Sequence, residues 1–426
     1  MNETTLRRAL LVLLAASLLL SLCFAIRVPF GDNPDETAHR DYIGLIVQER
    51  GFVRFIPHAD LPEGAPSRDE AHQPPLYYLL CAPVYALSNG DTLAVRLVAT
   101  VIQLATVCLT FLACRDLFPK RGEIAVGAAA FVAFLPIQAQ LGAAISNDAL
   151  TVLFCTAIFW RLAALVVYGQ TVKDVLWLGA LFGLGLWTKL SVVQLVPAFG
   201  VAYFLAVRGG RMTAKQAVLY GVGALALGTL IASPWLVRNT RLYGDPLTLG
   251  IYKLTGANFS PAKIQYAYRL LPADYFRAVA IRSFATFFYF LHPNLPIDPL
   301  QKFVGSPVPL VTVVAVAVAS LAAIYRKAKE GGIGGDAANV LLLFGGAILL
   351  MLPFFTQFVL TVFQAQGRYF LPVLLPVAVI TTAAWASRTF GADNDKVPAN
   401  LLSVLWVPAV LLALAVYQLI GGGFVR

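Results

Sequence analysis

The chain has 426 residues, of which 59% are apolar and only 13% charged, with a formal net charge of +10. Soluble domains carry about 25% charged residues, so an ordinary soluble enzyme is excluded. Basic residues flank apolar runs instead of clustering with aromatics on a polar face, which excludes nucleic acid as a partner and points to anionic membrane lipid.

Apolar runs long enough to cross a bilayer, roughly 20 residues each, occur near 6–26, 92–114, 123–141, 148–168, 175–189, 190–207, 216–236, 306–325, 337–358, 369–387 and 399–420. The expected fold is an all-α integral membrane protein of about eleven transmembrane helices, forming a single polytopic domain over residues 1–426. Short connections rich in Lys and Arg favour the cytoplasm. Arg7 with Arg8, Arg115 with Lys120 and Arg121, Arg208 with Arg211 and Lys215, Arg326 with Lys327 and Lys329, and Arg388 all fall on one side when the spans alternate. The N-terminus is then inside and the loops 27–91 and 237–305 outside, on the extracytoplasmic face of a plasma (inner) membrane. The first run leaves the bilayer at Ala25-Ile26-Arg27-Val28-Pro29 without a small-x-small cleavage site, so it is expected to stay as an anchor. Cys23, Cys81, Cys108, Cys114 and Cys155 lack the paired spacing of a disulfide framework or a zinc site and read as packing residues.

The polar insert from Arg27 to Gln73 holds three of the four histidines (His39, His58 and His72; the fourth is His292) and a concentration of acids. Asn33 is placed to cap a helix starting at Pro34, with Glu36 at the capping-box spacing. Asp35, His39, Tyr42 and Ile46 then share one face until Gly51 stops the helix. The plain reading has Asp35 and Glu36 complementing the helix dipole and Glu36 pairing with Arg40. A second knot, Arg68-Asp69-Glu70-Ala71-His72-Gln73, ends at Pro74-Pro75, which keeps it extended and starts a short helix at Leu76. The loop 237–305 carries Tyr243-Gly244-Asp245-Pro246, Tyr252, Tyr266, Tyr268, Tyr275 and the aromatic run Phe284 to Phe290. These are interface anchors or, on a sharper reading, a lid or groove for an acceptor.

Asn33-Pro34-Asp35-Glu36, then Gln73-Pro74-Pro75-Leu76-Tyr77-Tyr78, with Asp91 and Arg96 leading the second span, resembles the GT-C membrane glycosyltransferases, in the branch of protein mannosyltransferases and aminoarabinose transferases. Ser146-Asn147-Asp148, Gly185-Leu186-Trp187-Thr188-Lys189 and Gly367-Arg368-Tyr369-Phe370-Leu371-Pro372 fit in the same order. The resemblance implies an outer loop containing surface helices and transfer of a sugar from a polyprenyl-phosphate donor on the outer face. The acceptor would be a lipid, glycan or protein, and the loops 27–91 and 237–305 would cap the active site. It implies Asp35 as catalytic base, joined by Glu36 and by Asp148 from the next short outer loop. The chain departs from the aminoarabinose branch at Gln73, which stands where a lysine precedes Pro-Pro, so a phosphate contact is missing there.

A phosphate is a good leaving group, so the enzyme needs cations for it more than a general acid; arginine offers a two-pronged fork and lysine a point charge. The candidates near outer helix ends are Arg368, Lys189, His72, Arg96 and Arg238, with Arg96 alternatively paired to Asp91 and Arg238 to headgroups. Lys189 lies between two apolar runs, where an unpaired charge costs roughly 2.5–3.5 kcal/mol, so it calls for an anionic ligand or an Asp partner. His39, Tyr42, Glu70, Gln73, Tyr77 and Tyr369 are the candidates for acceptor or sugar contacts. A carboxylate that takes the acceptor's proton contributes roughly 10²–10⁴-fold, and in-line attack inverts the anomeric centre without the nucleophilic carboxylate of a retaining glycosidase. No cofactor is required. A divalent metal held by Asp35, Glu36 and His39 is the lesser alternative, manganese or magnesium suiting those donors better than zinc. The rival from another class is a transporter or flippase of lipid-linked sugar, which would need charges along a midplane path and the interrupted, repeated helices that the sequence lacks. A non-catalytic membrane partner on the same scaffold is the third reading.

Overall fold

The computed structural model describes residues 1–255, 260–269, 271–288, 308–329, 335–386 and 401–421. Among these, helices α1 (Glu3–Arg27), α2 (Glu36–Glu49), α3 (Leu76–Leu87), α4 (Thr92–Leu117), α5 (Gly122–Phe134) and α6 (Pro136–Leu141) form the first part of the chain. Then come α7 (Asp148–Tyr168), α8 (Val172–Thr188), α9 (Val196–Arg208) and α10 (Ala214–Tyr243). Next are α11 (Leu249–Thr255), α12 (Pro261–Tyr268), α13 (Pro272–Phe288), α14 (Val308–Lys329), α15 (Gly335–Val359), α16 (Leu374–Trp385) and α17 (Leu401–Gly421). No strand occurs among the described residues.

Eight described helical segments are long and apolar enough to cross a membrane, and the chain is a multi-pass membrane protein. Of the eleven expected runs three are not among these eight: that near 306–325 begins outside the described residues, and two fall short for local reasons. Residues 123–141 divide at Leu135, because Pro136 cannot donate to the preceding turn and opens its own short helix. The run near 175–189 is a helix of 17 residues, opened by a Thr171 capping box and ended by extended backbone at Lys189. Apolar side chains turned outward, such as Leu11 and Val12 at 66% and Leu230 at 68% exposure, face the space that lipid fills.

Helices α8 and α10 pack through glycine. A Cβ on Gly183 would meet Ile231 Cβ at 2.7 Å and the Gly228 carbonyl at 2.9 Å, so only a residue without a side chain lets these backbones approach. A large core joins α1, α4 and α5 to α7, α8, α9, α15, α16 and α17. A second cluster lies apart from it, built by Tyr42, Ile43 and Ile46 of α2, Tyr77, Tyr78 and Cys81 of α3, Val95 and Ala99 of α4, and Ile145 and Ala149 at the start of α7. The insert is thus docked on the helix ends by its own apolar layer.

One ion pair fixes that docking. Glu36, 1% exposed, receives Arg96 Nε at 2.7 Å and Nη2 at 2.6 Å, while Arg96 Nη1 donates to the carbonyls of Ala25 at 2.7 Å and Val28 at 2.8 Å. Glu36 also accepts the Ile145 N–H at 3.1 Å and the Asn33 amide at 3.1 Å. The end of α1, the start of α2, α4 and the loop before α7 therefore converge on one carboxylate. The expected partners are engaged otherwise: Arg40 donates to the Gly90 carbonyl at 2.7 Å, and Asp91 caps α4 through the Ala94 N–H at 2.7 Å. Breaking one side of such a buried pair costs about 3–5 kcal/mol. Arg96→Leu is accordingly expected to lower the melting temperature of the purified protein in detergent sharply; an unchanged melting curve would refute this role.

Candidate active site

Helix α2 begins two residues later than the capping pattern suggests. Glu36 is its first residue, and Asp35 occupies the N-cap in a left-handed conformation, φ 57° and ψ 12°, with no side-chain cap bond. Asn33 spends its amide on Glu36 and its carbonyl oxygen on Gln140 Nε2 at 3.0 Å instead of capping. Asp is among the few residues that tolerate this backbone. The result is that the Asp35 carboxylate is free of its own helix, and it accepts Arg368 Nη2 at 2.6 Å.

Arg368 is delivered by a 3-10 turn, Gly367–Val373, in which Pro372 delays the onset of α16. Its Nη1 lies 3.6 Å from Asp148, the first residue of α7, whose other oxygen accepts Lys189 Nζ at 2.6 Å. Lys189 sits in an extended break, φ −157° and ψ 126°, between α8 and the 3-10 turn Leu190–Leu195. The Asp partner expected for that lysine is Asp148. Ser191, Gln194 and Tyr369 line the same small cavity as Asp148, Lys189 and Arg368. Tyr369 lies against the guanidinium, 5.4 Å from its ring centroid, and donates to Gln364 at 3.2 Å.

Asp35 keeps half of its side-chain surface open, although protein surrounds it, so it faces an internal recess more than bulk water. Burial works against its charge, but Arg368 beside it and Lys189 further off reverse that effect and hold its pKa below the usual carboxylate value. Two neighbours complete the recess. His39 Nδ1 is 2.9 Å from the Tyr78 hydroxyl and 3.7 Å from Glu70 Oε2. Burial of the imidazole brings His39 down to about 4 in spite of Asp35, so it is neutral at pH 7. Burial, and then the Asp35 charge, raise Glu70 to about 8, so Glu70 is protonated at pH 7.

The remaining candidates divide between the site and its scaffold. Tyr77 accepts the Ser146 N–H at 3.1 Å, and Tyr42 donates to the Gln73 carbonyl at 3.4 Å; both rings are fully buried and hold the site's loops together. His72 donates through Nδ1 to the Asp69 carbonyl at 2.5 Å, and burial lowers it to about 4, so it brings no positive charge to a phosphate at neutral pH. Arg238 donates to the Val53 carbonyl at 2.6 Å and stacks on Trp235 at 4.4 Å, which fixes the insert to α10. Glu36 and Arg96, expected as a catalytic carboxylate and a phosphate-binding cation, are instead each other's buried partner. Tyr78, Gln140, Ser191 and Gln194 were not singled out by the sequence. Tyr78 alone had a signal there, as the last residue of the Pro-Pro-Leu-Tyr-Tyr stretch.

Asp35, His39 and Glu70 bring one donor atom each to within 4.8 Å of one another. The cluster does not fit a resident metal: Asp35 is held by Arg368, His39 Nδ1 by Tyr78, and Arg368 and Lys189 already bring two positive charges alongside. Glu36, the third ligand of the metal alternative, is absent from the cluster because Arg96 occupies both its oxygens.

The turn that carries Arg368 also sends Phe370 and Val373 into an apolar cavity of about 590 Å³ between α13, α15 and the start of α16, lined among others by Phe284, Phe287 and Phe355. Of the second large loop, the side chains of Tyr252 and Tyr268, and residues 289–290 with His292, lie outside the described residues. Tyr275 is buried and donates to the Val359 carbonyl, whereas Tyr266 is 89% exposed.

The membrane-embedded bundle with its docked insert is similar in fold to the GT-C membrane glycosyltransferases. Residues 72–237 match the dolichyl-phosphate-mannose-protein mannosyltransferase family. No curated protein matches by sequence search. Among solved structures, ArnT from Cupriavidus metallidurans bound to undecaprenyl phosphate superposes with a TM-score of 0.55 at 14% identity, covering 88% of this chain and 59% of that one. The Archaeoglobus fulgidus oligosaccharyltransferase in complex with zinc and sulfate gives a TM-score of 0.51 at 14% identity over 97% of this chain and 52% of that one. Its apo form gives 0.52 at 15% identity, over 96% and 55%. The chain thus spans little more than half the length of the structures it resembles, with the transmembrane fold in common.

Lys189 and Asp148, 14% and 9% exposed, are close enough to couple. In a double-mutant cycle with Lys189→Met and Asp148→Asn, the double variant is expected to melt higher than the sum of the single losses implies, a coupling of about 0.5–3 kcal/mol; additive losses would deny the pair.

Proposed function

We propose that the protein is a glycosyltransferase that moves a sugar from a polyprenyl-phosphate donor to an acceptor on the extracytoplasmic side of the plasma (inner) membrane. The loops 27–91 and 237–305 would cap the site. The observation that carries this reading is the 3-10 turn Gly367–Val373, from which Arg368 joins Asp35 to Asp148 while Phe370 and Val373 line the large apolar cavity. An amphiphile with an anionic head and a hydrocarbon tail is the ligand that such a junction suits. The family match and the likeness to a fold that, in ArnT, holds undecaprenyl phosphate support the same donor class.

In this mechanism the tail lies among Phe284, Phe355, Phe370 and their neighbours, and the phosphate takes the donors of Arg368 and Lys189. Arginine's fork can serve a phosphate and a carboxylate at once, which a lysine cannot do. As phosphate draws Arg368, the hold on Asp35 loosens and its basicity rises where an acceptor hydroxyl must lose its proton. The acceptor oxygen bonds to C1, the C1–O bond to phosphate breaks with its electrons staying on phosphate, and the anomeric centre inverts. Asp148 keeps Lys189 and Arg368 aligned throughout. Glu36 and Arg96 act as scaffold.

Two substitutions test this. Asp35→Asn, which removes a competitor for Arg368, is expected to bind undecaprenyl phosphate at least as tightly as the wild type and to lose transfer roughly 10²–10⁴-fold; full turnover in Asp35→Asn would remove the base. Arg368→Gln loses a charge-assisted hydrogen bond worth about 1.5–3 kcal/mol, so the same lipid should bind roughly 10–100-fold more weakly. Arg368 also keeps the Asp35 pKa low, so in any residual activity of this variant the acid limb of the rate profile should move to higher pH. An unmoved limb would separate Arg368 from Asp35 in the working enzyme.

A further inference from the structure

Asp35, His39 and Glu70 crowd their polar atoms around a recess that the phosphate cations do not fill. With one atom from each within 4.8 Å of the others, a single oxygen placed among them lies within about 2.8 Å of all three, ordinary hydrogen-bond distance. Glu70 Oε2 is buried and has no hydrogen-bond partner among the described residues. Its neighbour His39 Nδ1 lies 3.7 Å away, too far for a hydrogen bond.

Resting on the proposed transfer reaction, we infer that Asp35, Glu70 and His39 form a cradle for one uncharged hydroxyl of the acceptor, in which Glu70 keeps its proton and Asp35 does not. The acceptor is therefore an alcohol, not a phosphate. Two carboxyls sharing one recess cannot both ionise cheaply, and the surroundings decide which one does. Arg368 pairs with Asp35 at 2.6 Å, whereas the groups that face Glu70 are Asp35 and His39 on one side, its own neighbour Asp69, and Lys189 and Arg368 further off. Glu70 at about 8 and His39 at about 4 are both neutral at pH 7. The cradle then holds one negative charge and no cation of its own, since Arg368 and Lys189 are taken by the donor. An anionic acceptor would enter against Asp35 uncompensated. A hydroxyl instead gives its hydrogen to Asp35 and accepts one from Glu70; when the new C1–O bond forms, its proton stays on Asp35 and leaves to solvent, while Glu70 keeps its own. Glu70 is here a group that touches the acceptor and sets the charge beside Asp35.

The sign follows: below about 8 Glu70 is neutral, and above it a second carboxylate appears next to the phosphate site. Glutamine imitates the protonated acid, so Glu70→Gln separates charge from shape. With purified full-length protein in nanodiscs, undecaprenyl phosphate is expected to bind wild type and Glu70→Gln equally at pH 7. Between pH 7 and pH 9 wild type should weaken roughly tenfold, the size of one pKa unit of interaction, while Glu70→Gln stays flat. Parallel curves for the two proteins, or loss of binding in Glu70→Gln at pH 7, would overturn the proton assignment. The infrared band of a protonated carboxyl, present at pH 7 in wild type and missing from Glu70→Gln, reads the same proton without any ligand. Failure to bind undecaprenyl phosphate at every pH would count against the donor reading and leave that band to decide Glu70. Among acceptors, methyl glycosides should receive the sugar through a hydroxyl and glycosyl phosphates should not receive it on phosphate; product on a phosphate oxygen would overturn the acceptor class.

Discussion

Arg368, only 6% exposed, reaches Asp35 at 2.6 Å and Asp148 at 3.6 Å through its guanidinium. Those carboxylates come from the insert and from the head of α7, and the arginine comes from a turn more than 200 residues further along the chain. In a region with little water, none of the three groups is stable alone: an ion stripped of solvent costs several kcal/mol unless a partner and hydrogen bonds compensate it. Mutual need thus draws three distant segments to one point. The site is a consequence of burying charge in a protein that is otherwise built for hydrocarbon.

That junction would have no fixed geometry without a second, more deeply buried pair beneath it. Glu36 and Arg96 have no surface left for a ligand, and their remaining hydrogen bonds go to the end of α1 and the loop before α7. Adjacent residues of one sequence motif therefore divide the work by direction. Glu36 points into the bundle and anchors α2; Asp35, turned by its left-handed backbone, points into the recess. A helix that began at Pro34, with Asn33 as its cap, would have carried both acids on regular helical positions and could not have separated them in this way.

Much of this was legible in the residues. The apolar runs located the helices because hydrocarbon leaves a chain few options, and Lys189 announced a partner because a lone charge between two such runs is too costly to leave unpaired. Which acid would meet which base was not legible. Local spacing favoured Glu36 with Arg40 and Asp91 with Arg96, pairs worth a few tenths of a kcal/mol in water, whereas tertiary burial made the pairing of Glu36 with Arg96 worth far more. The neutral state of His72 and the raised proton affinity of Glu70 likewise come from burial, which sequence spacing does not encode. The Gly183 contact with α10 is similar: the glycine was visible, but the backbone that needed its missing side chain was not.

On the proposed transfer reaction, the same electrostatics would set the order of events at the site. At rest two cations, Arg368 and Lys189, face two carboxylates, Asp35 and Asp148, with Glu70 and His39 neutral, so the recess carries no net charge. A donor phosphate adds negative charge and must compete with carboxylates for donors they already hold. Arginine makes the competition workable because its nitrogens point in several directions and can release one partner while keeping another. Until that exchange takes place, Asp35 is a weak base because Arg368 stabilises its charged form. A hydroxyl arriving first, water included, meets a carboxylate with little affinity for its proton. On the proposed transfer reaction, donor entry before acceptor activation would follow from the ion pair itself, without a separate gate.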